Sequence, residues 1–209
     1  MSARRTLRRF AADERGTTLV ELALAIIVFL TLLFGVIDFG RVGYHYVGAE
    51  RAVMQAARLA TVLPPACSSA ANFGEITRHP AAIDSPSPPR MGTRCRKGEN
   101  VCAVMTPISC AASNGDPEAQ IIWAAVSRAL PAGATADALT IRYVQDEDLG
   151  FLGGPYAPRV EIELARVPVT GMSVFGLASI YGGDDDPDTS VLLPPMTAVM
   201  PGEGLGTGG

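Results

Sequence analysis

Between Leu22 and Ile37 the chain carries no charged residue, and twelve of those sixteen positions are Leu, Ile, Val or Phe. At roughly −0.3 to −0.6 kcal/mol per residue on an insertion scale, such a run favours a bilayer by about 4 to 7 kcal/mol. Counted from Leu19 it is long enough to span one. One polar residue breaks the pattern near its start. Glu21 is a carboxylate just inside the apolar edge, costing up to about 3 kcal/mol at a membrane centre and less near the interface. A charge kept at that cost marks a functional position.

Beyond the run the pattern changes period. Val42, Tyr46, Ala49, Val53, Ala56 and Ala60 recur at intervals of four and three, while Arg41, His45, Arg51, Gln55 and Arg58 fall off that stripe, which predicts an amphipathic continuation of the same helix. A single helix from Thr17 to Ala60 is about 66 Å long at 1.5 Å per residue. Gly35, Gly40, Gly43 and Gly48 each weaken it by roughly 1 kcal/mol relative to Ala and favour a bend near the membrane surface. Pro64-Pro65 stops it.

From Cys67 to Gly115 periodicity fades and Pro, Ser, Arg and Gly accumulate, the composition of a long loop that needs a staple. All four cysteines, Cys67, Cys95, Cys102 and Cys110, lie there. In an exported domain they imply two disulfides, with three pairings open. Their spacing lacks the close pairs of a zinc site.

Asp116-Pro117-Glu118 reads as a helix start, with the helix running through Ile121, Ile122, Trp123 and Val126 to Leu130 and stopped by Pro131. Leu139, Ile141 and Tyr143 alternate with polar residues, as do Val160, Ile162 and Leu164, predicting two strands paired antiparallel across the loop from Gln145 to Arg159. The segment Val167 to Leu177 is apolar and ambiguous, its Pro168 suiting an edge strand or loop. A last strand is expected near Met196 to Met200.

The expected architecture is therefore α+β: a long N-terminal helix, transmembrane then amphipathic, packed on a small antiparallel sheet with a disulfide-stapled loop region. The divisions fall at a basic leader (1–16), a transmembrane segment (17–38), its amphipathic continuation (39–63), an α+β domain (64–201) whose first part (64–117) is the Cys/Pro-rich loop, and a disordered Gly-rich tail (202–209).

Charge orients this arrangement. The leader has five Arg against Asp13 and Glu14, and the remainder holds 12 basic and 19 acidic residues. The positive-inside rule keeps the leader cytoplasmic and places the domain outside the cell membrane.

Residues suited to catalytic chemistry are few. His45 and His79 are the two histidines, each better read as solvated or structural. The run Gly171 to Gly176 has one residue too many for a nucleophile elbow, and Lys97 has no phosphate loop upstream. No enzyme and no cofactor are expected. Arg90, Arg94, Arg96 and Lys97 form a basic stretch without an aromatic residue, read as a solvated loop and not as a nucleic-acid site. Asp184, Asp185, Asp186 and Asp188 offer carboxylates for calcium. They lack the alternating spacing of a calcium loop, and an acidic turn is the simpler reading.

The leader and its junction are more informative. The apolar core is longer than the roughly 7 to 15 residues of a secretory signal, and no small-x-small cleavage site follows it. Arg15-Gly16, Val20-Glu21, Ala23, Gly35 and the exit sequence Asp38-Phe39-Gly40-Arg41 resemble the TadE-like pseudopilins of the tight-adherence (Tad or Flp) pilus machinery, a type IV pilin-like group. Leu22 stands where that family often has Phe or Tyr, Asp38 where it has Glu, and its mid-segment Pro is missing.

The resemblance implies cutting by a prepilin peptidase between Gly16 and Thr17. It further implies assembly with other pilin and pseudopilin subunits through Glu21, with Asp38 and Arg41 closing the assembly helix. A minor pilus component held in the bilayer is the expected function. The alternative is an unprocessed single-pass anchor carrying an exported adhesin or assembly scaffold.

Overall fold

The computed structural model describes residues 17–67, 73–170, 190–202 and 205. The chain divides into two compact units, residues 1–43 with 171–189 and residues 44–170 with 190–209. The fold is α+β, as expected: a long N-terminal helix, a four-stranded antiparallel sheet and two disulfides.

Helix α1, Thr17–Val62, runs unbroken through all four glycines. It ends before Pro64, where Leu63 N–H makes a last bond to Leu59 O at 2.9 Å. In the second unit its buried side is Ala49, Ala52, Val53, Ala56, Ala57 and Ala60, each at most 2% exposed. This corrects the expected stripe at one end, because Tyr46 is 42% exposed. Alanine has little hydropathic contrast, so Ala52 and Ala57 carried no signal, yet their size allows close packing. Gly48 shows how close: a Cβ there would lie 2.8 Å from Ala129 O.

That contact gives a prediction with opposite signs at two glycines. Gly48→Ala is expected to lower stability by about 1–3 kcal/mol through overpacking against backbone. Gly43→Ala, with nothing within 4 Å, should raise it by roughly 1 kcal/mol through helix propensity. Thermal denaturation of both variants checks this, and a stabilised Gly48→Ala would refute the close contact.

After a short helix α2, Pro80–Ile83, strand β1 covers Ile108–Ala111. The region expected to be all loop thus contains an edge strand, too short to show alternation. Helix α3, Pro117–Val126, starts after Asp116, whose carbonyl accepts from Gln120 N–H at 3.0 Å. It gives way to a 3₁₀ turn at Ser127–Ala129, earlier than the expected end at Leu130. Strands β2, Leu139–Val144, and β3, Arg159–Leu164, pair antiparallel with Ile141 opposite Ile162. The two-residue strands β4, Pro168–Val169, and β5, Val191–Leu192, pair separately, and β6, Met196–Pro201, completes the main sheet in the order β1-β2-β3-β6.

Period-2 alternation sorts the two central strands. Leu139, Ile141 and Tyr143 on β2 and Val160, Ile162 and Leu164 on β3 are buried. The other face carries Arg142, Arg159 and Glu161, with Arg159 Nη2 and Glu161 Oε1 2.9 Å apart. This partly exposed cluster adds little stability.

Cys67 pairs with Cys110 and Cys95 with Cys102, selecting one of the three possible connectivities. The first bridge ties the chain leaving α1 to β1. Beside it, Ala66 N–H donates to the Tyr143 hydroxyl at 2.9 Å, and Asn114 Nδ2 donates to Ala66 O at 3.3 Å. Burial pushes the Tyr143 phenol above its ordinary value, an effect the Ala66 bond opposes and the charge of Glu118 reinforces.

The second bridge lies in a small separate core of Ile76, Val101, Leu152 and Tyr156, with Phe73 packed against it. The loop between β2 and β3 supplies Leu152 and Tyr156, so two irregular segments fold against each other. At the C-terminal end, Gly202 N–H donates to Pro158 O at 2.7 Å and Leu205 is buried.

Candidate functional site

The first unit's described residues are one helical segment, 17–43, and its surface is the inverse of a soluble helix. Leu19, Leu24, Phe29 and Val36 are each more than 60% exposed. Consecutive positions from Leu22 to Leu30 are all apolar, so at 100° per residue every face of the cylinder is apolar, the pattern of a helix surrounded by lipid. By length and composition α1 can cross a membrane, which suits an anchor. The polar group within the apolar run also suits that surrounding: Thr31 Oγ1 donates to Ile27 O at 2.8 Å, leaving no hydroxyl donor for lipid to satisfy.

Glu21 projects from this surface, exposed, one turn after Thr17 where α1 begins. Residues four apart share a helix face, so the start of the helix and its acid lie on the same side. Gly16, the other half of the expected processing junction, lies outside the described residues, as do the leader and the candidate calcium run Asp184, Asp185, Asp186 and Asp188.

At the far end of the apolar segment Asp38 is 3% exposed, while Arg41, one turn on, is exposed. The burial of Asp38 was not legible in the sequence, where it reads as the exit residue of the membrane segment. Glu21 and Asp38 are seventeen residues apart on one helix, about 25 Å along its axis, so they form two separate sites.

In the second unit α1 exposes a further stripe. Tyr44, Val47 and Met54 are 77%, 45% and 49% exposed, and Arg51 and Arg58 continue their face at intervals of three and four. By helical projection this stripe lies opposite the buried alanines. The same helix therefore packs its own unit with one side and offers the other.

The two histidines hold structural positions. His79 Nδ1 accepts from Ala81 N–H at 3.2 Å and caps α2, and the His45 ring meets Tyr44 edge-on. Among the described residues no three His, Cys, Asp or Glu side chains come together as a metal site.

Residues 16–58 match the family model described as TadE-like protein. The match covers the apolar segment, Glu21, Asp38 and Arg41, and most of the buried alanine stripe. No curated protein and no solved structure matches the chain.

Proposed function

We propose, from the premise that a chain with a TadE-like N-terminal segment is a component associated with the Tad pilus, that this protein is a minor, pilin-like subunit assembled through α1. The observation that carries the reading is an apolar helix surface from Leu19 to Ile37 whose one acid, Glu21, stands one turn from the start of α1. In this reading a prepilin peptidase cuts between Gly16 and Thr17, leaving a new amine at the first residue of α1. A carboxylate in lipid needs a counter-charge, and the amine of a neighbouring subunit supplies it. The pair fixes the axial register between subunits.

The exposed stripe of Tyr44, Val47 and Met54 extends the contact beyond the membrane, while the disulfide-stapled unit is carried on the outer side of the cell membrane. The role is one of assembly, not catalysis. Its size, 209 residues, suits a minor component such as a primer, tip or scaffold piece better than a repeating shaft subunit.

Intact-mass measurement of the protein from its native membrane tests the processing step. The expected result is a chain beginning at Thr17. A mature protein retaining the leader would instead support the unprocessed anchor carrying an adhesin or scaffold domain.

A further inference from the structure

Four cations, Arg90, Arg94, Arg96 and Lys97, fall within eight residues of a chain whose net charge is −4. All four are exposed, and the backbone beneath them is held in place. Residues Cys95–Lys97 form a 3₁₀ turn closed by the Cys95–Cys102 bridge. Gly92 N–H donates to Leu152 O at 2.8 Å, and Leu152 N–H donates to Thr93 O at 3.0 Å.

Arg94 and Phe151 form an isolated antiparallel bridge, and this pairing brings the cations an aromatic neighbour that their own stretch of sequence lacks. Phe151 is 46% exposed and Met91 66% exposed. Both lie over the glycine turn that follows Leu152: Met91 Sδ is 3.3 Å from a Cβ position at Gly153, and the Phe151 ring is 2.8 Å from one at Gly154.

The charge is not cancelled locally. Among the described residues only Arg96 of the four forms an ion pair, a 3.7 Å contact with Asp148 between two largely exposed side chains. Met91, Thr93, Arg94, Arg96 and Lys97 line a depression that contains no acid, and Glu99 and Glu147 line a neighbouring one with which it shares Arg96 alone.

We propose that this patch docks on the surface of an anionic lipid bilayer, a second membrane contact separate from the anchor helix. Arg90, Arg94 and Lys97 engage headgroup phosphates, and Met91 and Phe151 enter the boundary between headgroups and acyl chains. Basic side chains beside exposed apolar ones are the combination an anionic interface rewards. A single-stranded nucleic acid would use stacking platforms. Here one aromatic side chain is paired with a thioether that such a partner leaves in water.

The test uses the full chain held in phosphatidylcholine nanodiscs, so that the anchor is already occupied, mixed with separate vesicles and assayed by co-flotation. Vesicles containing phosphatidylglycerol are expected to capture the discs and pure phosphatidylcholine vesicles are not, with capture falling as salt screens the charges. At about fivefold per cation, the triple variant Arg90→Gln, Arg94→Gln, Lys97→Gln should bind roughly a hundredfold more weakly. Met91→Ser with Phe151→Ser should lose about tenfold while keeping the salt dependence.

Unchanged near-ultraviolet circular dichroism and melting temperature confirm that the variants are folded. Equal capture by neutral and anionic vesicles, wild-type binding by either variant, or capture by a single-stranded oligonucleotide without vesicle flotation would each overturn the proposal.

Discussion

Replacing Cys67 and Cys110 together by alanine is expected to lower the stability of the second unit by about 4 kcal/mol, from the loop-closure entropy that a 43-residue separation removes from the unfolded chain. The same treatment of Cys95 and Cys102, seven residues apart, should cost about 2 kcal/mol. For a unit of this size these losses correspond to melting-temperature decreases of roughly 8 to 16 °C and 4 to 8 °C.

The larger effect has a structural partner. Cys67 follows Ala66, whose N–H donates to the Tyr143 hydroxyl and whose carbonyl accepts from Asn114. Losing the bridge therefore also frees the segment that positions these bonds. The smaller bridge closes a compact satellite core around Leu152 and Tyr156. Thermal denaturation of the full chain in detergent, followed by near-ultraviolet circular dichroism, compares the two. Equal shifts would show that loop entropy does not set the ranking.

The second large effect concerns Glu21. In Glu21→Ala, membrane insertion is expected to be at least as good as in the parent, because a cost of up to about 3 kcal/mol disappears. Incorporation into assembled fibres should nevertheless fall by a hundredfold or more, since leaving one member of a buried ion pair alone costs about 3–5 kcal/mol. Glu21→Gln discriminates further. It preserves size and hydrogen bonding but removes the charge, so it should resemble Glu21→Ala. Membrane fractionation and quantitative immunoblotting of sheared fibres give the two readouts, and normal incorporation of Glu21→Gln would rule out charge pairing as the register device.

The features legible in the sequence were those that form a pattern over a few neighbouring residues. The uncharged run from Leu22 to Ile37, the acid at its edge, the stop at Pro64-Pro65 and the alternation in Leu139–Val144 and Arg159–Leu164 are local patterns, and α1, β2 and β3 follow them. The amphipathic continuation was readable only in part. Alanine barely differs from a neutral surface residue in hydropathy, so Ala52 and Ala57 gave no sign of burial and Tyr46 gave a misleading one.

The candidate assembly site was legible for the same reason as the helix: a carboxylate in an uncharged run stands out against its immediate neighbours. The burial of Asp38 did not stand out, because an acid closing an apolar run reads equally well as a solvated exit residue.

The sequence by itself determined a membrane-capable helix, the position of its acid and two central strands, because periodicity and charge act over a few residues. The tertiary structure alone decided that Cys67 joins Cys110, that Ile108–Ala111 is an edge strand, that Gly48 meets Ala129, and that Phe151 stands beside Arg94. Each joins positions some 30 to 80 residues apart, where the closing geometry is set by packing of the whole unit and leaves no periodic trace in either partner.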